Sequence, residues 1–95
     1  MPRLLASDDL KTQLESLPGW HVEGTALVRT VELADFAAAL DFVVAVGHEA
    51  EEMNHHPDID IRYDRVRLAL WTHVAGGITQ YDVELAHRID GLIER

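Results

Sequence analysis

Residues 51–73 read EEMNHHPDIDIRYDRVRLALWTH, and the change of period inside this stretch decides the fold. Up to Met53 the apolar residues belong to a stripe of three- and four-residue steps: Phe36, Leu40, Val43, Gly47, Ala50 and Met53. That is the period of a helix with one buried face, and Asp35 is placed to cap its start. Pro57 pushes His56 away from helical geometry, so the helix is predicted to end near His56. Beyond it the period becomes two. Ile59, Ile61 and Tyr63 alternate with Asp58, Asp60 and Arg62. After a short turn, Val66, Leu68, Leu70 and Thr72 alternate with Arg67, Ala69, Trp71 and His73. This predicts two strands, with His73 at the end of the second.

Outward from this stretch the pattern continues in both directions. Toward the C-terminus, Gly76-Gly77 breaks the chain and Thr79 opens a helix with Val83, Ala86, Ile89 and Ile93 on one stripe. Toward the N-terminus, Ser7 is a candidate N-cap, followed by Asp8 and Asp9 where the helix dipole favours anions. Leu10, Leu14 and Leu17 fall at helical spacing, and Pro18-Gly19 stops that segment. Trp20 to Val22 reads as extended, Glu23-Gly24 as a turn, and Leu27, Arg29, Val31 and Leu33 as alternate residues of a second strand with a mixed face. The order is α-β-β-α-β-β-α. Strands arriving in adjacent pairs predict a four-stranded antiparallel sheet with helices packed on one face, an α+β fold. No repeat or linker interrupts the chain, so residues 1–95 are expected to form a single domain.

Bulk composition narrows the function classes. The sequence holds seventeen acidic and eight basic residues, a formal charge of −9. Such a surface repels phosphate backbones and anionic lipid, so neither nucleic acid nor membrane is an expected partner. There is no cysteine, which excludes disulfides and thiolate chemistry. MPRLLASDDL at the N-terminus has no apolar run long enough for a signal peptide, and a cytoplasmic protein is expected.

Six histidines in 95 residues draw attention to their placement. His55 and His56 stand where the long helix gives way to a strand. Successive residues inside a helix point about 100° apart, but at a helix end both rings can reach one cavity. Backbone carbonyls at a helix C-terminus favour a protonated imidazole, which suits acid–base work near neutral pH. Glu51 lies four residues before His55, within reach of it on a helix. His73 adjoins a Gly-Gly turn, and loops at strand ends often carry catalytic groups. The plainer reading treats His-His-Pro as a C-capping arrangement and leaves His21, His48 and His87 on the surface. A metal site built from His55, His56 and His73 is the sharper rival. Adjacent histidines are an awkward pair for one ion, and no HExxH or Cys/His spacing is present, so no metal is expected.

Glu51, then His55-His56-Pro57, Tyr63, His73 and Asp82, at these spacings, resemble the active-site signature of the pterin-4a-carbinolamine dehydratase family. Gly19-Trp20, Thr72-His73, Gly76-Gly77-Ile78-Thr79, Leu85-Ala86 and Ile89-Asp90 resemble its flanking text, and the likeness covers nearly the whole chain. The resemblance implies an enzyme, a hydro-lyase that converts 4a-hydroxytetrahydrobiopterin to quinonoid dihydrobiopterin and water. That step recycles the pterin of aromatic amino-acid hydroxylases with no cofactor. It implies His55 and His73 as proton-transfer groups and His56 as a residue that binds and orients the pterin. Glu51 and Asp82 would support the imidazoles, Asp82 working with His73; Trp20 would pack against the substrate or, on the plainer reading, be an ordinary core or interface aromatic. Tyr63 reads as structural. It also implies a homodimer or homotetramer. The alternative within the resemblance is a non-catalytic dehydratase-like dimerisation module or assembly factor; such relatives often lose part of the histidine set, which is complete here. Asp82 has a competing local reading, because Thr79-Gln80-Tyr81-Asp82 has the form of a capping box. Trp71 is bulkier than the resemblance leads one to expect.

Overall fold

The computed structural model describes residues 2–93. Its elements follow the order read from the sequence: α1 (Ser7–Leu14), β1 (His21–Glu23), β2 (Ala26–Glu32), α2 (Phe36–Met53), β3 (Asp58–Arg62), β4 (Arg65–Leu70) and α3 (Gln80–Ile93). The four strands form one sheet in the order β1-β2-β4-β3, each neighbour antiparallel. The α+β architecture with helices on one face is therefore the observed one.

Strand register explains which face the helices cover. Leu27 pairs with Leu70 and Val31 with Val66, so these four side chains share a face with Leu68 between them. All are buried, and they join Ala39, Phe42 and Val46 of α2 and Val83, Leu85, Ala86 and Ile89 of α3 in one core. Full burial of each such leucine stabilises the fold by about 1.5–3 kcal/mol. Arg29 opposes Leu68 and would be a charge on this apolar face. Its guanidinium instead donates to Asp90 of α3 at 2.7 Å, and the same Oδ1 accepts the Trp20 indole N–H at 2.8 Å. Gly19 makes room for this arrangement: a Cβ there would stand 2.6 Å from the guanidinium. The mixed face of β2 is thus a satisfied one.

The opposite face carries the buried Val28–Ala69 pair and is otherwise largely polar, with Arg67 paired to Glu23 at 2.8 Å and Arg65 to Glu32 at 3.3 Å. The hydrogen bond with His21, then Arg67, holds the exposed Glu23 carboxyl below the usual carboxylate range. Among the described residues no helix is long and apolar enough to cross a membrane.

Several boundaries differ from the sequence reading, among them the end of β3, which stops at Arg62 before Tyr63. Ser7 is the first helical residue of α1, with Ala6 at the N-cap and no side-chain cap, and Leu17 lies beyond the helix although fully buried. α2 ends at Met53, before His56, because Asn54 turns left-handed with φ +51°. The His55 N–H then bonds the Ala50 carbonyl at 3.0 Å, closing the helix in the six-to-one pattern of a Schellman cap. β4 ends at Leu70, so His73 does not terminate a strand. The strand is cut short because Thr72 bridges to Gly77, which folds residues 73–76 into a tight turn. Gly76, at φ +75°, occupies the position that needs glycine.

Candidate active site

Two short loops at one end of the sheet bring the histidines together. The first is the α2–β3 connection. Asn54 leaves the helix early, and Pro57 restricts His56 to extended backbone, so neither His55 nor His56 is helical. The second is the 72–77 turn, closed by Thr72 N–H to the Gly77 carbonyl at 2.8 Å and Gly76 N–H to the Thr72 carbonyl at 2.9 Å. His55, His56 and His73 line a common open cavity of about 300 Å³, with Asn54, Trp71 and Thr72. That is near the lower bound, roughly 300 Å³, for small-molecule pockets.

Behind the cavity sits Asp82, fully buried in the first turn of α3. Its Oδ1 lies 2.6 Å from His55 Nε2. Its Oδ2 accepts the Thr72 hydroxyl at 2.9 Å and the Thr79 backbone N–H at 2.9 Å. Thr79 caps α3 in return, its hydroxyl accepting the Tyr81 N–H at 3.2 Å, and the two threonine hydroxyls are 2.7 Å apart. Donor bookkeeping orders this network. Thr72 gives its proton to Asp82, so Thr79 gives its own to Thr72. A carboxylate only accepts, so the network assigns the proton between Asp82 and His55 to Nε2. The nitrogen left to exchange protons with a ligand is His55 Nδ1. Every buried side-chain polar atom among the described residues has a partner.

The remaining expected residues fall into place unevenly. Glu51 hydrogen-bonds His56, the more exposed imidazole, rather than His55. The early end of α2 is the cause, since it removes His55 from the helical position four residues after Glu51. Asp82 meets His55 and not His73. His73 is exposed and lines the cavity, its ring stacked on Trp71. Trp20 is apart from the site: it bonds Asp90, eight residues or about 12 Å along α3 from Asp82. It is a core residue, 5 % exposed, as the plainer of its two readings has it, and it does not line the histidine cavity. Tyr63 occupies the β3–β4 turn at φ +54°. Sequence reasoning paired Thr79 with Asp82 as a capping box, which the Thr79 N–H to Asp82 bond matches, but missed Thr72 as a partner of Asp82. No local spacing signals Thr72, which reaches Asp82 across ten residues.

A second cavity of about 320 Å³ shares Asn54, His55 and Thr72 with the first and is lined further by Tyr81 and Met53. Tyr81 packs at 5.8 Å from the His55 ring, tilted by 44°. A further cavity, about 580 Å³, runs along the N-terminal arm past Arg3 and Leu4 to Gln80 and Tyr81. It contains no histidine, and size alone does not outweigh converging imidazoles and carboxylates as the mark of a reactive site. Among the described residues no three His, Asp or Glu side chains converge as metal ligands do.

Comparison with known proteins meets this geometry. The family profile described as pterin 4 alpha carbinolamine dehydratase matches residues 3–92. A provisionally named pterin-4-alpha-carbinolamine dehydratase of Chloroflexus aurantiacus is 52% identical over 93 residues, covering 98% of this chain and 99% of the relative. One from Mycobacterium tuberculosis, also provisionally named, is 44% identical over 89 residues, covering 94% and 95%. The crystal structure of a transcriptional coactivator/pterin dehydratase from Brucella melitensis superposes with a TM-score of 0.88 at 31% identity, covering 93% of this chain and 96% of that one. A pterin dehydratase-like RuBisCO assembly factor of the alpha-carboxysome shares the fold, with a TM-score of 0.64 at 20% identity over 77% of this chain and 84% of that one.

Proposed function

We propose a catalytic role on this premise: the chain belongs to the pterin 4 alpha carbinolamine dehydratase family. The reaction is dehydration of a 4a-hydroxytetrahydropterin. The proton on N5 leaves, the C4a–N5 double bond forms, and the 4a hydroxyl departs with a proton as water. Two acid–base groups meet that demand, and no metal or organic cofactor is needed. The observation that carries the reading is the pair of imidazoles lining one cavity, His55, braced by buried Asp82, and His73.

His55, with Nε2 held by Asp82, exchanges protons through Nδ1. His73 serves the opposite transfer. His56, held by Glu51, binds and orients the pterin and shares proton duty. The protein acts in the cytoplasm as a homodimer or homotetramer, its partner being the small pterin substrate rather than nucleic acid or membrane.

The test is a dehydration assay on the purified chain with chemically generated 4a-hydroxytetrahydropterin. His55→Ala and His73→Ala should each slow turnover by up to ~10²–10⁴. The folded double variant should lose nearly all acceleration over the uncatalysed reaction. Exhaustive chelation, checked by elemental analysis, should leave the wild-type rate unchanged; loss restored by zinc points to a metal hydrolase. A wild-type protein giving no acceleration would falsify the dehydratase reading and favour a binding or assembly module.

A further inference from the structure

We infer that Trp71 is a positioning residue for His73, and that Asp58 fixes Trp71 in turn. The inference rests on the dehydratase reading, in which His73 transfers a proton. Of the three cavity imidazoles, two are held by carboxylates: His55 by Asp82 and His56 by Glu51. The His73 ring makes no such bond among the described residues. Its exposed side chain needs another restraint if a nitrogen is to meet the substrate in a fixed direction.

Trp71 supplies that restraint. The indole lies against the His73 ring with centroids 4.0 Å apart and planes inclined at 29°. Its N–H donates to Asp58 Oδ2 at 3.2 Å. Asp58 is the first residue of β3, and its position is set by pairing with Ala69 of β4. The backbone below His73 is closed by the bonds of the 72–77 turn, so side-chain rotation is the freedom left to remove. A carboxylate, an indole and an imidazole therefore form a chain from the sheet to the cavity. The large side chain at position 71 finds its reason here.

Two readouts test this. In proton NMR, the carbon-bound ring protons of His73, identified by their loss in His73→Gln, should be shifted upfield by the indole ring current. Trp71→Leu should abolish that shift, while circular dichroism and melting confirm the fold. In the assay Trp71→Leu should lower kcat by about ten- to a hundredfold, as expected for a misplaced reacting group, with KM changed by less than about twofold. Trp71→Phe, which keeps a flat ring but loses the N–H, should recover kcat to about the level of Asp58→Ala. Asp58→Ala should lower kcat in the wild-type background but add nothing to Trp71→Phe, which has no N–H to hold. Wild-type kcat in Trp71→Leu, equal losses in the Leu and Phe variants, or unchanged His73 shifts in Trp71→Leu overturn the inference. A slow His73→Gln beside a normal Trp71→Leu sinks this inference alone. A normal His73→Gln removes His73 from the chemistry, and the role of Trp71 goes with it.

Discussion

Asp82 carries two duties that its local sequence presents as alternatives. One carboxylate oxygen closes the capping box with Thr79 and takes the Thr72 hydroxyl, while the other holds His55. An asparagine there can keep the first duty through its amide oxygen. Its amide nitrogen then faces His55 Nε2, donor against donor, unless the imidazole moves its proton to Nδ1. Asp82→Asn is therefore expected to cost about 1–3 kcal/mol of stability, the scale of a compromised buried polar group. It should also slow dehydration by ~10²-fold or more. Denaturant titration and nitrogen NMR of the His55 tautomer measure the two effects separately. Thr72→Val keeps the shape and removes one donor, so its rate should lie between those of Asp82→Asn and the wild type. An Asp82→Asn protein that melts lower yet turns over normally makes Asp82 a cap and nothing more.

At the scale of elements, the site depends on how α2 stops. Asn54 adopts left-handed backbone at φ +51°, which asparagine and glycine tolerate and alanine resists by about 1–2 kcal/mol. Continuing the helix by one residue would swing His55 back over Glu51 and away from Asp82. Asn54→Gly should keep both stability and turnover. Asn54→Ala should lower the melting temperature by several degrees, since about 1 kcal/mol shifts Tm by roughly 4–8 °C in a domain of this size. Its activity should fall as well, because the bond between His55 and Asp82 depends on the turn. Equal melting and turnover in the two variants would show that the left-handed turn is not needed.

For the whole molecule, the question is what remains uncovered. Phe36, Leu40 and Val44 are spaced four apart on one side of α2, and they are 47%, 42% and 58% exposed. A chain this short gains from burying further surface. We expect light scattering at micromolar concentration to give a particle larger than 10.7 kDa. Val44→Asp should reduce that mass, because a charge in a buried apolar contact is costly. A stable monomer, or a variant of unchanged mass, counts against association through this face.

Read by itself, the sequence determined the order of elements, the antiparallel pairing of neighbouring strands and the two loops that carry the histidines. These follow from period, capping residues and Pro57, all of which act within a turn or two of the chain. The placement of β2 beside β4, which puts β1 and β3 at the two edges, came only from tertiary structure. So did the pairings within the site. His55 meets Asp82 across 27 residues, and Trp20 meets Asp90 across 70. Local spacing suggested Glu51 for His55, and the family resemblance suggested Asp82 for His73 and the substrate for Trp20. Periodicity says which face of an element is apolar, but not which of several carboxylates a given imidazole will reach. That choice was made by the left-handed turn at Asn54 and by the packing of α3 against the sheet, which lays its first turn behind His55 and carries Asp90 to the other end.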